Sequence, residues 1–343
     1  MVSGRMGPGF KGPGDPAGAE GPVPTFYPSA ADPSQATPLD VQMGFTVQGA
    51  DVRLLRARSF PVSGHVVGAP GGRRQGMVML LPRVDASWLP DGKFIIPAVP
   101  PSSYTIVAES FEGDNRMRGL AAVEVGDRGV DNAPVVMQPA FDLPGAVRLE
   151  GQGTLDFSDV SVNLQPRQRG RNMGASGGKA GQDGKLLLHQ MFTGHYDVLV
   201  GGLPENHYVK SIRAGEMEVL ADGARVLPGM QLDVLVSPNG GKLNGTVVNG
   251  RGEVVTSASV ILMAPNAPLI RRLKTASVDQ QGQFQLSGIA PGDYFLAAVE
   301  EADTGEYWEP EFLTKNEKLI EKRSIRESAT ESKALKLIAA GSQ

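Results

Sequence analysis

Three stretches of the chain share one spacing of apolar residues. Counted from Gly92, Gly184 and Gly282, an apolar side chain stands two residues on (Phe94, Leu186, Phe284) and four on (Ile96, Leu188, Leu286). Others stand seven on (Val99, Met191, Ile289) and fourteen on (Ile106, Val198, Leu296), with a tyrosine at twelve (Tyr104, Tyr196, Tyr294). Even spacing puts one face of a strand inward. The odd step between the fourth and seventh residues is where the chain is expected to turn. Pro100-Pro101, Thr193-Gly194 and Pro291-Gly292 supply turn chemistry there. The Asp-Gly or Gln-Gly pair that opens each stretch reads as a tight turn entering a strand.

An upstream half recurs as well. Gly64-His65-Val66, Gly145-Ala146-Val147 and Gly245-Thr246-Val247 each begin a short strand. Each is followed by an alternating segment around Val78-Met79-Leu80, Val162-Asn163-Leu164 or Val260-Ile261-Leu262. The first-strand glycines lie 81 and 100 residues apart. Those periods are too long for a solenoid and fit a small β-sandwich. The expected fold is therefore all-β, with three tandem antiparallel β-sandwiches of transthyretin-like or Ig-like kind after an N-terminal remnant.

The expected boundaries are a Gly/Pro-rich linker over 1–24, the tail of an incomplete sandwich over 25–58, and modules over 59–140, 141–237 and 238–343. Strands are expected in the remnant at 39–41 and 50–54, in module two at 207–212 and 230–236, and last at 334–338. Residues 315–333 read as a solvated charged insert in module three. A chain that begins in a linker is expected to be part of a longer protein.

Composition narrows the function classes. With no cysteine, disulfides, thiol catalysis and Cys-based zinc sites are all excluded. A net charge of −4 argues against a general affinity for nucleic acid or anionic lipid. The apolar runs are strand-length and too short to span a bilayer. Residues 1–24 hold no apolar core of a signal peptide.

The pattern Gly-x-Val, then Val-x-Leu, then Asp-x-x-Gly-x-Phe-x-Leu-x-Gly-Ile-x-Pro-Gly-x-Tyr, ending at Tyr294, resembles the carboxypeptidase regulatory-like domain. That is a transthyretin-like (prealbumin-like) sandwich, also grouped with carbohydrate-binding-like folds. The junctions Ser237-Pro238-Asn239-Gly240-Gly241 and Tyr307-Trp308-Glu309-Pro310 are similar to those of multi-copy members from bacterial envelopes. The resemblance covers about residues 25–340 and is weakest in module two. It implies export and non-catalytic modules, which occur beside peptidases, outer-membrane receptors and adhesins. The expected protein is a monomeric, non-catalytic binding module of the cell envelope or of a secreted protein, with a polysaccharide or an envelope protein as partner. A structural spacer or adhesin stalk is the alternative, as is an accessory region of a larger peptidase or outer-membrane receptor.

No residue pattern names a reaction. None of the four histidines, His65, His189, His195 and His207, begins a His-Glu-x-x-His zinc motif. His189, His195 and His207 share one module, and ordinary strand and loop histidines are expected there. The segment from Gly174 to Ala180 fails the spacing of a phosphate-binding loop. One carboxylate recurs per turn (Asp91, Asp183, Asp279), too few for calcium, so these read as turn formers. Neither metal nor cofactor is expected. Lys242 stands alone near a first strand, with no repeated triad for an isopeptide bond. Gly92, Gly184 and Gly282 with Tyr104, Tyr196 and Tyr294 read as structural, the tyrosines as corners whose hydroxyls bond back to main chain. The candidate carbohydrate platform is Trp88, Tyr307 and Trp308.

Overall fold

The structure is a computed structural model. It describes residues 20–23, 25–30, 35–39, 49–68, 76–81, 84–88, 91–112, 115–167, 176–264, 273–300 and 314–338, with main chain alone at 22, 84–88 and 112. The chain divides after Ala140 into two compact units. Strands carry the regular structure.

The first unit begins with β1 (Glu20–Pro22) antiparallel to β2 (Arg56–Arg58). Part of the expected linker is thus a strand. The strand expected at 50–54 is not formed: Leu54 is largely exposed, and the pairing lies two residues further on. Residues 40 and 41 of the other expected strand lie outside the described residues. Next come β3 (Phe60–Val67), β4 (Gly76–Leu81), β5 (Val84–Trp88), β6 (Lys93–Val99), β7 (Ser102–Glu112), β8 (Asn115–Val125) and β9 (Val130–Pro139). These seven form a closed barrel in the order β3-β6-β5-β4-β7-β8-β9. It closes, where an open sandwich was expected, because β5 crosses from β4 to pair with β6 through Ser87–Ile95 and Trp88–Phe94.

Module two holds β10 (Phe141–Leu149), β11 (Ser161–Pro166), β12 (Ser176–Lys179), β13 (Lys185–Met191), β14 (Gly194–Gly201), β15 (Tyr208–Ala214), β16 (Met217–Glu218), β17 (Ala224–Val226) and β18 (Leu232–Ser237). Its two sheets are β13-β10-β18-β15-β16 and β12-β11-β14-β17. Module three holds β19 (Gly241–Val248), β20 (Ser259–Met263), β21 (Leu273–Ser277), β22 (Gln283–Ile289), β23 (Gly292–Val299), β24 (Glu321–Ile325) and β25 (Thr330–Ile338). The insert expected to be a loop therefore supplies β24, paired to β23, and the start of β25.

All three modules repeat one wiring. The first strand pairs antiparallel with the anchor strand and parallel with the last strand. The first-strand glycine shows why the pattern needs it. In register, Gly64 faces Phe94 and Ala133, Gly145 faces Leu186 and Leu232, and Gly245 faces Phe284 and Lys333. A Cβ at Gly64 would stand 2.1 Å from the Ala133 carbonyl oxygen, and one at Gly245 would stand 1.8 Å from that of Lys333. At Gly145, beside the smaller Leu186, the nearest atom is the Leu232 oxygen at 2.7 Å. The side chain at the anchor strand and the carbonyl of the parallel strand fill the space a Cβ would need.

The odd apolar step is a β-bulge, not the turn. Ile96–Val99, Leu188–Met191 and Leu286–Ile289 each oppose one residue fewer on the first strand. The extra residue lets both flanking apolar side chains point inward. The turn follows it.

Each sandwich encloses its own core. Leu143, Val162, Leu164, Leu188 and Val234 are buried in module two, and Leu243, Val260, Leu262, Leu286 and Leu296 in module three. Module three carries a second, smaller cluster on the outer face of β20 and β23. There Ile261, Met263, Ala297 and Val299 are buried, with Leu319 and Ile320 of the insert packed against them.

Candidate functional site

Of the residues expected to bind sugar, only the main chain of Trp88 lies among the described residues. Trp88 places its main chain in β5 opposite Phe94, while Tyr307 and Trp308 lie outside the described residues. Residues 168–175 of the glycine-rich loop also lie outside them, and 176–179 form the edge strand β12.

The repeated residues occupy equivalent places. Gly92, Gly184 and Gly282 have φ of 85°, 76° and 72°, left-handed values that glycine adopts without strain. Their carbonyls accept from Val66, Val147 and Val247, which ties each turn to its first strand. Asp91, Asp183 and Asp279 accept from the amides of Lys93, Lys185 and Gln283 at 3.0, 3.1 and 2.7 Å. Tyr196 donates to the Phe192 carbonyl at 2.8 Å and Tyr294 to that of Ala290 at 2.7 Å, both four residues back. Burial pushes the Tyr104 hydroxyl up to about 12.

The histidines are dispersed. His189 Nδ1 lies 3.1 Å from Asp142 Oδ2 on an exposed strand pair. Ser176 Oγ donates to the main-chain oxygen of His189 and not to its ring, so this pair activates no hydroxyl. His195 sits opposite Arg225, and both ring nitrogens of His207 are buried without a partner. Among the described residues, no three His, Asp or Glu side chains are grouped to hold a metal ion.

A polar arrangement lies where modules two and three meet, and of it the sequence marked only the junction Ser237–Gly241. Three turns converge: 204–207, 237–241 and 326–329. The Gly240 amide donates to the Asn206 carbonyl at 2.8 Å, and the Ser328 amide to that of Asn239 at 2.8 Å. Two glycines allow the approach. A Cβ on Gly240 would lie 2.6 Å from Gly288 Cα, and one on Gly288 would lie 2.5 Å from the His207 oxygen and 2.6 Å from that of Glu205. Beside them, Tyr208 of β15 donates to Glu327 Oε1 at 2.7 Å. Lys210 reaches Glu150 at 2.5 Å and Glu327 at 3.7 Å, so one ammonium bridges carboxylates of both modules.

The charges respond accordingly. The hydrogen bond from Lys210 holds the Glu150 carboxyl below its ordinary value, and Glu150 in turn holds the Lys210 ammonium above its own. Burial, then the bond to Glu327, raises the Tyr208 hydroxyl. Burial, then the nearby Tyr208, raises Tyr294. Lys274 reaches from β21 to the Gly288 carbonyl at 3.0 Å, and burial lowers its ammonium. Main-chain bonds, steric closure and paired charges make this a joint.

No protein family matches the chain, and no curated protein does. Among solved structures the chain is similar to the Bacillus anthracis TIE protein, with TM-score 0.23 and 11% identity over 84% of this chain and 54% of that one. It is similar to a streptococcal ancillary pilin, with TM-score 0.23 and 10% identity over 81% and 99%. GBS52, the minor pilin of Streptococcus agalactiae, gives TM-score 0.24 and 14% identity over 57% and 94%. The chain spans about half the length of the first of these. Likeness this slight bears on neither the fold nor the function, and the all-β assignment rests on the strand pairing itself.

Proposed function

We propose that the chain is a non-catalytic β-sandwich array of a bacterial envelope or secreted protein, in which modules two and three act as one stiff spacer. The observation that carries this is the joint. The main-chain bond from Gly240 to Asn206, two glycines closed against carbonyls and Lys210 shared by Glu150 and Glu327 leave little room for a hinge. The resemblance to carboxypeptidase regulatory-like modules supports the envelope setting and the lack of catalysis. A carbohydrate role would rest on Trp88, Tyr307 and Trp308, and no described side chain supports it. An accessory role beside a peptidase or receptor is compatible with the same stiffness.

The absence of cysteine makes the test clean. Spin labels at Glu216→Cys and Arg251→Cys, both exposed, would report one narrow distance between modules two and three. A broad distribution in the full chain would overturn the spacer reading. A polysaccharide pull-down that Trp308→Ala abolishes would favour the binding role instead.

A further inference from the structure

Three Asn-Gly pairs stand five residues apart around β19: Asn239-Gly240, Asn244-Gly245 and Asn249-Gly250. An Asn-Gly pair is the sequence most open to self-modification, because glycine leaves the following amide nitrogen unshielded. The structure treats the three pairs differently. Gly240 has its amide committed to Asn206 in the joint. Gly245 lies within β19 between β22 and β25, with the Lys333 carbonyl against it. Gly250 sits in an exposed turn, with no atom within 4 Å of the place its Cβ would take. Its amide donates to no main-chain acceptor among the described residues.

The Asn249 side chain is also held for the reaction. Its Oδ1 accepts from the amides of Arg251 at 2.9 Å and Glu253 at 3.0 Å, while its Nδ2 donates to Glu253 Oε2 at 2.7 Å. Two amides on one oxygen are a small oxyanion cradle: they stabilise negative charge that develops there. We propose that Asn249 is a self-deamidation site built into the turn that follows β19. The Gly250 nitrogen loses its proton to solvent and attacks Asn249 Cγ. The oxyanion forms on Oδ1 in the cradle. The Cγ–Nδ2 bond breaks as Nδ2 takes a proton back from solvent and leaves as ammonia, and the cyclic imide opens with one water to aspartate or isoaspartate.

The product changes the turn. A donor to Glu253 becomes a carboxylate facing a carboxylate. The bond from the Asn249 amide to the Glu253 carbonyl, which closes the turn, is then opposed by repulsion. Val254 follows directly, and its side chain fills the space beside Gly282. The modification is therefore felt at the repeated Asp279–Gly282 turn, at a site separate from the joint.

The test is peptide mapping of the full chain after incubation at mildly alkaline pH, with a urea-unfolded sample in parallel. Locked amides react only through local opening, so folded Asn249 should convert at least about tenfold faster than Asn239 and Asn244. In urea the three should converge. Gly250→Ala should slow Asn249 alone. Equal rates in the folded chain would overturn the proposal, as would the same preference in urea. Protection of folded Asn249 below its unfolded rate would also overturn it, showing that the cradle restrains more than it activates.

Discussion

Modules two and three have cores of the same kind and differ on one outer face. On the strands β11 and β14 of module two, that face carries Asn163 and Gln165, both exposed, opposite Leu199 and Asp197. On the corresponding strands β20 and β23 of module three it carries Ile261 and Met263, buried with Ala297 and Val299 beneath Leu319 and Ile320. Inward positions are the same kind of residue in both. The repeat thus encodes the sandwich, and the non-repeating insert decides whether an outer face meets water or chain.

The largest effect should come from what the modules share. Gly245→Val places a Cβ on the Lys333 carbonyl and should cost about 3 kcal/mol or more, against about 2 for Gly145→Val, where the gap is wider. Denaturant titration of the full chain checks both, and equal losses would break the steric account. A reciprocal exchange then addresses what differs. Ile261→Asn should cost about 3 kcal/mol through a cavity and an unpaired buried amide. Asn163→Ile should stay within about 0.5 kcal/mol, as surface changes do. Next are the corners: Tyr196→Phe and Tyr294→Phe should each lose about 1 kcal/mol, the former more because its acceptor residue Phe192 is itself buried.

The smallest effect is the pH dependence of the joint. The Glu150 carboxyl is held below its ordinary 4.5, so its contribution is present above that pH and is lost as pH falls through the lowered value. Lys210 is held above its ordinary 10.5 and Tyr208 above its ordinary 10.0. Their contributions are present below those values and fade as pH rises through the raised ones. The melting-temperature gap between the native chain and Lys210→Met should therefore be widest at neutral pH and shrink at both extremes. A gap that stays constant with pH would separate Lys210 from the joint's electrostatics.

Much of the fold was legible because its demands are local. The even apolar spacing marked β6, β13 and β22, and the first-strand glycines marked β3, β10 and β19. Other features were hidden for physical reasons. The odd step between Ile96 and Val99 looked like a turn because a bulge resets the inward side without an intervening loop residue. Strand β24 reads Glu-Lys-Arg-Ser-Ile, with only Ile325 fully buried, so its charged face masked the alternation. Closure of module one depends on β5 leaving β4 for β6, which no local pattern records. Beyond the Ser237–Gly241 junction the joint was illegible, because Asn206, Gly288, Glu327 and Lys210 come from separate turns and strands, and each is an ordinary turn or surface residue alone.

The central claim is that modules two and three are fixed by that joint. Amide hydrogen exchange at Gly240 in the full chain tests it most directly, because that amide donates from module three to Asn206 of module two. The account predicts protection close to that of ladder amides in β19 and β18. Exchange as fast as that of the open-turn Gly250 would contradict it.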